Sequence, residues 1–127
     1  MNTKKLEKIK AEMNKAEGYL SAADVLYKNE LYGPSASASY NCAYHASLAA
    51  LLTSGEKVGK EAFTKSLESL GKFSKKLDPA IEAARGSAKG WGAASSQEHS
   101  ENEALLRLYQ TKEFVVEVKS FMKKILR

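Results

Sequence analysis

The sequence predicts an all-α domain, an antiparallel bundle of four to five helices. Three observations carry that prediction. Apolar residues recur three and four positions apart through long stretches near both ends of the chain, which is the period of a helix with one buried face. No segment shows the alternation of a half-buried strand. Turn residues cluster at few places, so the connections are short except for one. The 127 residues suit a single domain spanning 1–127, long enough to bury a core without disulfide or metal staples.

The first element follows from Leu6, Ile9, Met13, Ala16, Leu20, Ala23 and Tyr27, whose spacings alternate between three and four. They form one stripe of a helix over 3–28, with Lys and Glu covering the opposite face. Gly18 weakens its middle by about 1 kcal/mol relative to Ala, which implies packing support from a neighbour. A turn over 29–34 ends in Gly33-Pro34, and Pro suits the first turn of a following helix because its missing N–H has no partner there.

The second helix is expected over 35–53, with Ala36, Tyr40, Ala43, Ser47 and Leu51 on one stripe and Leu48 and Leu52 widening it. Thr53-Ser54-Gly55 stops it. Its run of Ala and Ser permits close approach by another helix, while Tyr40, Tyr44 and His45 give that contact polar tips. The expected use is the lining of a site or a dimer interface. A third helix over 60–73 turns Phe63, Leu67 and Leu70 inward, and a short one over 79–84 opens at Asp78-Pro79. Gly86, Gly90 and Gly92, with four serines, then make 85–101 a mobile loop. The last helix, over 102–126, presents Leu105, Leu108, Val115, Val118, Met122 and Ile125; Lys112 interrupts the stripe with a stem able to snorkel.

Formal charge is +5, from 20 Lys and Arg against 15 Asp and Glu, which permits attraction to nucleic acid or to an acidic partner. The lone Cys42 excludes a disulfide framework and a cysteine metal cluster, and reads as a small residue filling space between helices. No apolar run approaches a membrane span and no signal-peptide core follows the lysine-rich start, so a cytoplasmic protein without membrane contact is expected.

Two places could carry chemistry. His45 has Tyr44 beside it and Asn41 four residues earlier; it reads first as a hydrogen-bonded core or interface group, and alternatively as a base. The loop gathers Arg85, Lys89, Trp91 and His99. Histidine is suited to general acid–base transfer, arginine to charge on phosphoryl oxygens, and tryptophan to stacking on a base. His99 is the only other histidine, no HxxxH or HExxH spacing occurs, and no glycine-rich phosphate loop is present, so neither metal nor cofactor is expected.

The segment AEGYLSAADVLYKNELYGPSASASYNCAYHASLAALL, together with the closing helix, resembles the small stand-alone HEPN proteins (higher eukaryotes and prokaryotes nucleotide-binding domain). In their second-helix signature Tyr40 matches the first Tyr, Tyr44 the aromatic before the His, His45 that His and Ala46 the following Ala, while Asn41 replaces a common aromatic. The resemblance implies an HEPN-like bundle of four or five helices, usually a homodimer packed through its central helices. It also implies a minimal nucleotidyltransferase as partner in a toxin–antitoxin pair. Active family members resemble metal-independent ribonucleases that use an Arg, a polar residue and a His four to six positions later. Here Arg85 is followed by GSAKG and the next histidine, His99, lies fourteen positions on. The reading is therefore a non-catalytic or weakly active module binding nucleotide, RNA or a protein partner. A metal-independent endoribonuclease and a purely structural or regulatory dimerisation protein are the alternatives. Arg85, His99 and His45 are the catalytic candidates, and Tyr40, Asn41, Tyr44, His45, Lys89 and Trp91 the ligand or interface candidates.

Overall fold

Thr3–Lys28 forms one uninterrupted helix, α1, with both ends where the apolar stripe places them. The computed structural model describes residues 3–53, 55 and 100–126. Within them α2 spans Tyr32–Thr53 and α3 spans Glu101–Ile125, and there is no strand among the described residues. The helices predicted over 60–73 and 79–84, and the loop predicted over 85–101 up to residue 99, lie outside the described residues.

The turn from α1 to α2 is a Schellman closure. The Leu31 amide donates to the Leu26 carbonyl at 2.9 Å and the Glu30 amide to the Tyr27 carbonyl at 3.0 Å. This puts Glu30 in the left-handed region, φ 62°, a position that favours glycine. Helix α2 then begins at Tyr32, three residues earlier than the sequence suggests. Gly33 and Pro34 are absorbed into its first turn, because the first intrahelical amide bond is made by Ser35, to the Leu31 carbonyl. At the other end of the chain Ser100 caps α3, its Oγ accepting from the Glu103 amide at 3.2 Å. Ser100 and Glu103 have the spacing of a capping box, and Glu101 and Glu103 suit the positive end of the helix dipole. Glu101 therefore belongs to the helix and not to the loop.

Helix α2 lies between α1 and α3, which touch each other less extensively than either touches α2. Being flanked on both sides decides the use of its small residues. Ala36, Ala43, Ala46, Ala49 and Ala50 are all fully buried, as are Ser35, Ser39 and Ser47. Ser35 Oγ donates to the Ala23 carbonyl at 2.8 Å, and Thr111 Oγ1 on α3 to the Ser39 carbonyl at 3.5 Å. The close-approach face expected to serve a site or a second subunit is thus used inside the chain, on α1 and α3.

Ile9, Met13, Ala16 and Ala23 of the α1 stripe are buried, with Leu6, Leu20 and Tyr27 partly so. The packing support that Gly18 calls for in α1 comes from α2; Gly18 itself is exposed, and among the described residues an added Cβ would meet nothing within 4 Å. On α3 the buried arc is wider than the predicted stripe; among the described residues this helix packs on both α1 and α2. The arc takes in Ala104, Thr111, Phe114 and Phe121 besides Leu108, Val115 and Val118. Leu105 is left at its edge, and Ile125, past the last core residue, is 51% exposed.

Candidate functional site

The antiparallel register of α1 and α2 brings His45 to Glu12. His45 Nδ1 lies 2.6 Å from Glu12 Oε2, and the two side chains are 18% and 19% exposed. A carboxylate only accepts, so the Nδ1 proton points to Glu12 and Nε2 is left as the nitrogen available to a ligand. Tyr19, two turns after Glu12 on α1, stacks on the imidazole with ring centroids 5.5 Å apart and planes 6° from parallel. Tyr44 meets the same ring edge-on at 5.3 Å and 81°. The other carboxylate oxygen of Glu12 is 3.7 Å from Lys15 Nζ. Lys8 and Lys15 stand one turn to either side of Glu12, and both are exposed.

The result is a histidine held in position by a carboxylate and an aromatic stack, partly exposed where α1 and α2 meet, with exposed lysines beside it. Chemically it can move a proton at Nε2, receive a flat ring beside Tyr19, and hold an anion near Lys15. Glu12 and Tyr19 were not legible as site residues: they flank the apolar stripe of α1, and nothing in their spacing pairs them with His45 on the next helix.

The remaining sequence candidates separate. Tyr40 is half-buried against the core, and burial, with Tyr44 nearby, pushes its hydroxyl up. Tyr44 also packs on the core, so only its edge serves the His45 ring. Asn41 is half-buried one turn before His45. Cys42 is fully buried, and burial pushes its thiol from 9.0 to about 12, so it is a filler and not a nucleophile. Arg85, Lys89, Trp91 and His99 lie outside the described residues. Among the described residues no three His, Cys, Asp or Glu side chains are placed to hold a metal, and no helix is long and apolar enough to cross a membrane.

Among curated proteins none matches the chain. The family model described as HEPN domain, in contrast, matches residues 9–126, from the first buried residue of α1 to the end of α3. With only helices among the described residues and a match over almost its full length, the chain belongs to the HEPN domain family.

Proposed function

We propose that this protein acts on RNA in the manner of the family's metal-independent ribonucleases, with His45 as an acid–base group where α1 and α2 meet. The observation that carries the reading is the 2.6 Å contact between His45 Nδ1 and Glu12, beside the stacked ring of Tyr19. In the proposed reaction Nε2 takes the proton of a ribose 2′-hydroxyl, and that oxygen attacks the adjacent phosphorus. The P–O5′ bond breaks, leaving a 2′,3′-cyclic phosphate and a 5′-oxygen that takes up a proton. His99 is the proposed donor of that proton and Arg85 the group facing the phosphoryl oxygens, supplied across a dimer. Glu12 is a positioning residue that fixes the imidazole tautomer, Tyr19 supports a base by stacking, and Lys15 draws in the backbone. A nucleotidyltransferase partner, implied by the resemblance, would hold the activity in check.

One observation favours a second reading, binding without turnover. The fourteen positions between Arg85 and His99 depart from the close Arg–His spacing of active members. The experiment is incubation with a mixed RNA pool in EDTA, with binding measured alongside cleavage, using the full chain and its His45→Ala, His99→Ala, Arg85→Ala, Glu12→Gln, Tyr19→Ala and Lys15→Ala variants. The cleavage reading expects cyclic-phosphate ends that survive EDTA and fall by about 10²–10⁴-fold in His45→Ala. RNA binding that weakens on loss of Tyr19 or Lys15, with no cleavage by any form, supports the second reading. Neither binding nor cleavage overturns both.

A further inference from the structure

Where α1 hands over to α2 and α3 begins, tyrosines and carboxylates gather at one end of the bundle. The rings of Tyr27 and Tyr32 are 5.6 Å apart and tilted by 55°. The Tyr27 hydroxyl donates to Glu101 Oε1 at 3.4 Å. Burial, then Glu101 and Tyr109, push the Tyr27 hydroxyl up, and burial, Glu101 and Glu30 do the same to Tyr32. Tyr27, Tyr32 and Glu101 are thus gathered by direct contacts, Glu30 sits in the turn between the two tyrosines, and Tyr109 is near enough to act on the Tyr27 hydroxyl. Beside them Tyr109 is 57% exposed and Leu31, in the turn itself, 49% exposed. The cations of this end are already engaged: Lys28 and Lys112 both pair with Asp24, at 3.0 and 3.7 Å. Among the described residues Glu30 and Glu101 have no cationic partner.

We infer that this end of the bundle docks a positively charged protein segment, whose arginine or lysine side chains are received by the Tyr27 and Tyr32 rings and the Glu30 and Glu101 carboxylates. Aromatic faces attract cations as well as stacking on bases. The carboxylates choose between the two, since they repel a phosphate backbone and attract a guanidinium or ammonium group. The exposed Leu31 offers apolar surface to the stem of such a side chain. On a chain of net charge +5, which as a whole repels basic segments, this local patch supplies the complement a cationic partner needs. The patch is separate from the His45–Glu12 pair and does not depend on the RNA reading.

The test is an NMR titration of the ¹⁵N-labelled full chain with an end-blocked peptide of alternating Arg and Ala, and with the same peptide carrying citrulline for Arg. Saturable amide shifts centred on Leu31, Tyr32, Glu101 and Tyr109 are expected, with the citrulline peptide about tenfold weaker or worse. Glu101→Gln and Glu30→Gln, both exposed changes that leave the core intact, should each weaken binding several-fold; Tyr32→Ala should weaken it about tenfold. Shifts scattered over the surface or centred on Glu12, equal binding of the citrulline peptide, or a single-stranded RNA oligomer shifting the patch residues more strongly would each overturn the inference.

Discussion

Replacing Ala43 by leucine tests whether the small residues of α2 are used inside the chain or kept for a second subunit. Ala43 is fully buried in the main core cluster, together with Ile9 and Met13 of α1 and Phe114 and Val115 of α3. Leucine adds three carbons. If space for them existed, their burial would stabilise the fold by about 0.8 kcal/mol for each carbon. At a site with no exposed surface the flanking helices must instead move apart, and such overpacking costs about 1–3 kcal/mol net. With a urea slope of about 1.5 kcal/mol per molar, the unfolding midpoint should fall by about 0.7–2 M. The assay is urea denaturation followed by far-UV circular dichroism, run at two protein concentrations about a hundredfold apart. Destabilisation within the chain gives the same shift at both concentrations. An unchanged midpoint, or a loss that appears only on dilution, would refute the reasoning and return the Ala-rich face to a subunit interface.

Three other substitutions or titrations follow from the same structure. Gly18→Ala should stabilise the protein by about 0.5–1 kcal/mol, because the position is exposed and helical, with no atom of the described residues within 4 Å of an added Cβ; a thermal melt with a lower midpoint would contradict it. Glu30→Gly should add about 1 kcal/mol by relieving the left-handed backbone, measured as a higher urea midpoint. Cys42 should resist thiol reagents in the native protein. Its neutral form is favoured by burial, so its contribution to stability is intact below pH 9.0 and declines as pH rises from there to about 12. Rapid labelling of the native protein at neutral pH would contradict that.

The periodic stripe of α1 was enough to place both its ends, because a 26-residue helix with one buried face states its period in residue types alone. Family membership was legible for a related reason: the resemblance rests on local runs of side chains, and the match over residues 9–126 agrees with it. Starts were less legible. Gly33-Pro34 reads as a turn until the Schellman closure at Glu30 and Leu31 shows that α2 needs no amide donor before Ser35. Glu101 reads as loop until Ser100 is seen to cap the helix from behind it.

What only the tertiary structure decided is which helices use which faces. From residue types, the Ala and Ser run on α2 serves an outside partner as well as it serves α1 and α3; sandwiching between those two helices assigned it to the inside. The same sandwiching drew Thr111, Phe114 and Phe121 inward, since a helix facing two neighbours buries a wider arc than one stripe. His45 was visible as an unusual residue, but its partners were not. The contact with Glu12 spans 33 positions and exists because α1 and α2 run antiparallel in one particular register, which is fixed by packing over the full length of both helices and by no local run of sequence.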